Sequence, residues 1–155
     1  MAFRNRTTNT SFFRSGLLVA LLVFGITSML LLHTGEARVM LRCEFVEAIV
    51  DKFPVAELDD WTCIAKYTSH FNSDASFTGE ADGSADFGIF GINSRYWCRP
   101  GQHNLCNVDC ADLLGNDLTA SIRCARLIKE QQGWTAWPSW TRNCSNGRAV
   151  GLSRC

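Results

Sequence analysis

A carboxylate, an amide and a pair of aromatic rings occur close together in one short stretch of the chain. The stretch runs from Asp82 to Cys98 and reads D-G-S-A-D-F-G-I-F-G-I-N-S-R-Y-W-C. Asp86 supplies the carboxylate and Asn93 the amide, and Tyr96-Trp97 form an aromatic platform. Polar groups placed among aromatic side chains are typical of ligand clefts, and this combination suggests a saccharide. The alternative is a half-buried hairpin in which an Asp stabilises the turn.

The same stretch predicts a strand that follows a tight turn. Asp82-Gly83 suits a hairpin turn because glycine tolerates a positive φ. Two faces then alternate along the strand: Ala85, Phe87, Ile89 and Gly91 on one, and Asp86, Gly88, Phe90 and Ile92 on the other. The glycines beside Asp86 leave room for a ligand to approach the backbone.

Apolar residues at helical spacing predict helices on both sides of this strand. The first stripe precedes Pro54 and consists of Val46, Ile49, Val50 and Phe53. The second consists of Trp61, Ile64, Ala65 and Thr68, which places Thr68 on the inward face, and the third of Leu118, Ile122, Ala125 and Ile128. A first hairpin strand is expected over residues 77–81. Helices, a small sheet and further helices together predict an α+β fold.

The N-terminal segment has the pattern of an export signal. Three arginines in the first fourteen residues precede an uncharged run from Gly16 to Leu32, and small residues flank Glu36 just before Arg38. Residues 1–37 are therefore predicted to be a signal peptide cleaved after Ala37, and residues 38–155 a secreted domain. Because the run just reaches the length that crosses a bilayer, an uncleaved single-pass anchor is the alternative. The domain lies outside the cytosol in both cases.

All eight cysteines fall within residues 38–155. An even number in a short exported domain indicates disulfides, although eight cysteines permit about 105 pairings. A zinc site is disfavoured because the domain has no C-x-x-C pair and two histidines, His70 and His103.

The charge of this domain argues against some classes of partner. Residues 38–155 carry twelve Lys and Arg against fourteen Asp and Glu, a net of −2. That balance favours neither nucleic acid nor anionic bacterial surfaces as an electrostatic partner.

The order of these signals resembles the C-type lysozyme and α-lactalbumin family over essentially all of residues 38–155. The resemblance is carried by R-C-E, W-T-C-I-A-K-Y, the stretch from Asp82 to Cys98, N-L-C-N-V-D-C-A-D-L-L, D-L-T-A-S-I-R-C-A and A-W-P-S-W. It implies a helical lobe and a small antiparallel β lobe with a saccharide cleft between them. It also implies four disulfides: Cys43–Cys155, Cys63–Cys144, Cys98–Cys110 and Cys106–Cys124.

The family mechanism implied by this resemblance uses two carboxyl groups that flank a glycosidic bond. Asp86 matches the carboxylate that acts as nucleophile and stabilises positive charge. The general acid should follow K-[FY] on the second helix, and there the chain reads Lys66-Tyr67-Thr68. Thr68 thus replaces the general acid, and its hydroxyl is too weak an acid for that role.

Most other cleft positions of the family have a counterpart. Asn93, Tyr96, Trp97, Trp137 and the Ala136 carbonyl match saccharide-contacting positions, although Tyr96 stands for a tryptophan. Gly91 replaces the usual glutamine, and one extra residue lies between Thr68 and Asp86. Some family members bind calcium before the third helix, but here only Asp117 matches a carboxylate ligand, so neither a metal nor a cofactor is expected.

Three functions are compatible with these residues. The first is a secreted lysozyme-like protein that binds aminosugar polymers such as peptidoglycan or chitooligosaccharide and is catalytically impaired at Thr68. The second is an active lysozyme that uses another acid, for which Glu80 is the nearest candidate, although it belongs to the same side of the cleft as Asp86. The third is a protein-interaction module such as a gamete-surface protein.

Overall fold

The computed structural model of the chain describes residues 39–79 and 81–155. The α-helices in these ranges are α1 (Arg42–Ile49), α2 (Leu58–Thr68), α3 (Thr119–Gln132) and α4 (Pro138–Asn143), and the strands are β1 (Ser76–Thr78), β2 (Ala85–Phe87) and β3 (Ile92–Asn93). Three 3₁₀ segments cover Val55–Glu57, Cys110–Leu113 and Trp134–Ala136. This order confirms the predicted α+β fold. The predicted signal segment, residues 1–37, lies outside the described residues.

The strands form one antiparallel sheet in the order β1-β2-β3. Phe77 pairs with Asp86 on one side, and Asn93 pairs with Asp86 on the other. Residues that pair directly across antiparallel strands share a face. The register therefore sets Asp86 at the centre of a row between an aromatic ring and an amide.

The prediction of a single strand that continues from Ala85 through Ile92 is wrong. The chain turns back after Phe87, with φ of 73° at Gly88 and 59° at Gly91, and the Gly91 N–H donates to the Gly88 carbonyl at 3.0 Å. Glycine adopts these left-handed angles without the clash that a Cβ causes. Asp86 and Asn93 consequently meet on neighbouring strands.

Two predicted boundaries also differ from the structure. Helix α1 ends at Ile49, and the next residue of the predicted stripe, Val50, is 48% exposed. Strand β1 is Ser76–Thr78 rather than residues 77–81. Phe53 packs in the core although it lies beyond the helix, and all three residues of β1 are exposed, so the local residue pattern does not fix the ends of these two elements.

The core lies between the helices and the turn that follows β2. Its fully buried side chains include Phe45, Ile49, Trp61, Ile64, Phe90 and Ile92. Trp61 is its centre, since its ring contacts the rings of Phe53, Phe90, Trp134 and Trp137. The cysteines pair as Cys43–Cys155, Cys63–Cys144, Cys98–Cys110 and Cys106–Cys124, the four pairs that the resemblance implies.

Asp59, in the first turn of α2, holds the C-terminal segment. Its carboxylate accepts hydrogen bonds from the backbone N–H groups of Gly151 and Ser153, each at 2.7 Å, and from the Ser153 hydroxyl. Partial burial acts to raise the pKa of Asp59, but these hydrogen bonds outweigh it and leave the pKa below its ordinary value.

The lowered pKa of Asp59 predicts a pH-dependent contribution to stability. A carboxyl group whose pKa is lowered by folding stabilises the fold above its unfolded pKa of about 3.9, and loses that contribution as the pH falls through its folded pKa. Asp59→Asn should therefore reduce the free energy of unfolding by about 1–2 kcal/mol at neutral pH. Urea unfolding should show that the difference in free energy of unfolding between the unsubstituted protein and Asp59→Asn shrinks at acid pH. A difference that stays constant with pH would contradict a stabilising role for ionised Asp59.

Candidate functional site

A cavity of about 530 Å³ lies where the sheet faces α2 and α4. Its lining includes six of the seven residues proposed from the sequence: Thr68, Asp86, Asn93, Trp97, Ala136 and Trp137. Tyr96 is not among the lining residues. The structure therefore brings most of the predicted site together around one cleft.

The wall formed by the sheet is organised by hydrogen bonds to Asn93. The Asn93 amide donates to Asp86 Oδ1 at 2.8 Å and to the Ser84 hydroxyl at 3.0 Å, while its oxygen accepts the Arg95 N–H at 2.9 Å. The amide is thus fixed in one orientation with its donor toward the carboxylate. This arrangement suits an ionised Asp86, because an N–H donor stabilises the charged form of a carboxyl group.

Asp82 stabilises the turn that leads into β2. Hydrogen bonds from the Ser84 hydroxyl and backbone N–H, together with the Arg95 guanidinium, hold the pKa of Asp82 far below its usual range. Asp82 is consequently a permanent anion at neutral pH and has no proton to donate.

The opposite wall presents Thr68, the last residue of α2. The hydroxyl groups of Thr68 and Ser139 share a hydrogen bond at 2.7 Å, and Ser139 is 8% exposed. The Thr68 methyl group lies over Gly91, where a Cβ would come within 2.3 Å of it. Both branches of the threonine side chain are thus engaged, and Asp86 is the one carboxylate among the described lining residues. Glu80 lies outside the described residues.

Trp137 belongs both to the core and to the cleft wall. Its side chain is 4% exposed, its ring meets Trp61 edge-on at 5.3 Å, and its Nε1 donates to the Phe90 carbonyl at 2.9 Å. Trp137 is therefore a core residue that also lines the cleft, and its predicted contact with a saccharide stays a prediction. Trp140 is partly buried and donates from Nε1 to Asp60.

The two members of the aromatic platform have different surroundings. Trp97 is 4% exposed and lines the cleft. Tyr96 is 42% exposed and stacks on His103, with ring centroids 5.9 Å apart and an interplanar angle of 2°. The Arg95 guanidinium lies 5.5 Å from the Tyr96 ring centroid. Tyr96 is therefore held beside the cleft by its neighbours, and its predicted contact with a saccharide stays a prediction.

Sequence reasoning missed Ser139, Arg142, Tyr67 and Phe77, all of which line the cleft. Ser139 and Arg142 are three residues apart on α4, a spacing that puts both on one helical face. That spacing is visible in the sequence, but the helix is only six residues long and has no apolar stripe. Phe77 becomes a cleft residue only through its register with Asp86, which local sequence does not fix.

The part of the chain that the structure describes contains no group of three or more His, Cys, Asp or Glu side chains placed to hold a metal ion. Asp117 accepts a hydrogen bond from the Thr119 N–H at 3.0 Å. The bonds from Thr119 lower the pKa of Asp117, whose carboxylate closes an Asx turn across Leu118, the N-cap residue of α3. None of the helices in the described ranges is long and apolar enough to cross a membrane.

Comparison with known proteins agrees with this geometry. Residues 38–155 match the C-type lysozyme/alpha-lactalbumin family. The chain is 40% identical to Lysozyme C-1 of Mus musculus over 136 residues, which cover 82% of this chain and 90% of that protein. It is also 40% identical to Lysozyme P of Drosophila melanogaster over 125 residues, which cover 77% of this chain and 87% of that protein. It is 40% identical to Lysozyme C II of Oncorhynchus mykiss over 127 residues, which cover 76% of this chain and 88% of that protein. The chain therefore belongs to the C-type lysozyme/alpha-lactalbumin family.

Proposed function

We propose that residues 38–155 form a secreted lysozyme-like domain that binds N-acetylated aminosugar chains and hydrolyses them inefficiently. The ligand class, peptidoglycan or chitin-like oligosaccharide, is that of the family. Asp86, Asn93, Trp97, Ala136 and Trp137 are the proposed saccharide contacts. Secretion is supported by the N-terminal export pattern, and the family comparison gives no support to a protein partner.

The observation that carries this proposal is the Thr68–Ser139 hydroxyl pair across the cleft from Asp86. Glycoside hydrolysis of this type needs a carboxylic acid to protonate the leaving oxygen while a carboxylate opposite stabilises the transition state. Asp86 and its Asn93 donor supply the second group, whereas two hydroxyls occupy the place of the first. Positioned general acid catalysis contributes roughly 10²–10⁴-fold, so its loss leaves binding intact and turnover slow.

An efficient hydrolase is the second candidate. It is favoured by the relatives, which are named lysozymes, and by the intact Asp86–Asn93 pair. It requires a proton donor other than Thr68. The remaining candidates among the lining residues that the structure describes are hydroxyl groups.

Binding and cleavage of chitotetraose by the same protein preparation test this proposal. The chain should be expressed in a host that exports and oxidises it, and the recovered protein titrated calorimetrically with chitotetraose. Saturable binding with slow or undetectable product formation over hours is the expected result. Absence of binding would contradict the saccharide cleft, and rapid cleavage would favour the second candidate.

A further inference from the structure

A second cavity, of about 500 Å³, lies against α3 and shares no lining residue with the proposed saccharide cleft. Its apolar lining comes from Ile122, Leu127 and the Cys106–Cys124 disulfide. Ile122 and both cysteines are at most 7% exposed, and Leu127 is partly buried against the core. A concave surface of this volume with an apolar floor is typical of a site for a small organic molecule.

Three cationic side chains line the same cavity. Arg123 and Arg126 are exposed residues of α3, and their spacing of three residues puts them on one helical face with Leu127. The third cation is Lys52, whose ammonium already lies 2.6 Å from the Asp51 carboxylate. The two arginines therefore carry most of the unbalanced positive charge at this cavity.

The guanidinium groups of Arg123 and Arg126 are available to a ligand. Among the residues that the structure describes, neither guanidinium forms a hydrogen bond or an ion pair with the protein. Glu130 is the one carboxylate among the described lining residues. The three cations against Glu130 and Asp51 leave an excess of one positive charge, although residues 38–155 as a whole have a net charge of −2. This local excess favours a ligand with a single negative charge.

Arginine combines two modes of recognition that together fit an aromatic carboxylate. Its parallel N–H groups bind a carboxylate in a bidentate manner, and its planar cation stacks on an aromatic face. Arg123 and Arg126 start roughly 4.5 Å apart along the axis of α3, so one can bind the carboxylate while the other covers the ring. An aliphatic ligand would contact the apolar floor but would gain nothing from the second guanidinium.

We propose that the cavity against α3 is a second ligand site, which takes an aromatic monocarboxylate with a ring system of about the size of naphthalene. One of the two arginines binds the carboxylate. The ring lies on Ile122, Leu127 and the disulfide, beneath the other guanidinium. This site is independent of the proposed saccharide cleft.

The probe that tests this site is 2-naphthylacetate, with two matched reference compounds. The neutral 2-naphthylacetamide keeps the shape, and 2-decahydronaphthylacetate keeps the charge but has no aromatic face. In an NMR titration of the exported, oxidised protein, 2-naphthylacetate should shift the Nε–H signals of Arg123 and Arg126 saturably. It should bind about three- to tenfold more tightly than the amide, and this ratio should shrink at high salt. Excess chitotetraose should leave its affinity unchanged.

The double variant Arg123→Gln/Arg126→Gln should reduce the ratio of acid to amide affinity to about one. It should also lower the ratio of aromatic to hydrogenated acid affinity by about two- to fivefold, because the stacked cation is lost. The matched control is Arg148→Gln/Arg154→Gln, which removes two charges from exposed positions outside the cavity and should leave both ratios unchanged.

Three results would overturn the site: no saturable binding of 2-naphthylacetate, an acid-to-amide ratio that survives Arg123→Gln/Arg126→Gln, or displacement of the probe by chitotetraose. A ratio of aromatic to hydrogenated acid affinity that is the same in the unsubstituted protein and in this double variant would overturn the choice of an aromatic ligand.

Discussion

Thr68→Glu is expected to raise the hydrolysis of chitooligosaccharides by about one to four orders of magnitude, the range that a positioned general acid supplies. The substitution removes the methyl group that lies over Gly91 and extends a carboxyl group into the cleft opposite Asp86. Trp137 forms the apolar wall beside it, and desolvation by that wall raises the pKa of the new carboxyl group. Initial rates of chitooligosaccharide cleavage measure the gain.

Ser139 is expected to limit the pH range over which Thr68→Glu hydrolyses chitooligosaccharides faster than the unsubstituted protein. Its hydroxyl now pairs with Thr68 at 2.7 Å, and in Thr68→Glu it can donate to the carboxylate, which favours the charged form and lowers the pKa. The double variant Thr68→Glu/Ser139→Ala removes this donor. Its rate should therefore persist to higher pH than that of Thr68→Glu, because a general acid must stay protonated.

Two controls separate acid catalysis from a change in binding. Thr68→Gln has nearly the shape of Thr68→Glu but no transferable proton, so it should bind saccharide and stay slow. Asp86→Asn in the Thr68→Glu background removes the second carboxylate and should abolish the gain. A Thr68→Glu protein that folds and binds chitotetraose but cleaves no faster than the unsubstituted chain would contradict the role assigned to position 68.

Trp61→Ala is expected to lower the free energy of unfolding by about 3–5 kcal/mol, the usual range for removing a fully buried tryptophan. The Trp61 ring is 0% exposed and lies 4.4 Å from Phe53 and 4.8 Å from Trp134, measured between ring centroids. It also supports Trp137 from behind, so the cavity left by the substitution should loosen the cleft wall. Guanidinium chloride unfolding with the disulfides intact measures the loss.

A surface residue near the start of α2 provides the comparison for Trp61. Val55 is 79% exposed, and Val55→Ala should change the free energy of unfolding by less than about 0.5 kcal/mol. If Trp61→Ala lowered the free energy of unfolding by no more than Val55→Ala does, the aromatic rings around Trp61 would not be the centre of the core.

The predictable part of the site is the part that depends on sequence motif and helical spacing. The motif from Asp82 to Cys98 identified Asp86 and Asn93 as candidate site residues, although the tight turn across which a hydrogen bond joins them was not predicted. Helical spacing placed Thr68 on the inner side of α2, which agrees with its position in the cleft wall. The position of Thr68 follows from the local rule of helical periodicity.

The rest of the site depends on contacts between distant segments. Ser139 reaches Thr68 across 71 residues of sequence, and the position of α4 is set by packing rather than by any stripe of its own. The reversal between Gly88 and Gly91 was missed because alternation of side chains continues through it in the sequence. Phe77 depends on strand register, and Tyr96 on a stacking partner, His103, that no local pattern indicates.

The central claim, that the cleft binds aminosugar chains without efficient general acid catalysis, is tested most directly by turnover and affinity measured on one preparation of the unsubstituted protein. The protein and an active lysozyme should be titrated with chitooligosaccharide and assayed for its cleavage under identical conditions. We predict saturable binding with turnover at least about 10²-fold below that of the active enzyme. Turnover equal to that of the active enzyme would contradict the account of Thr68.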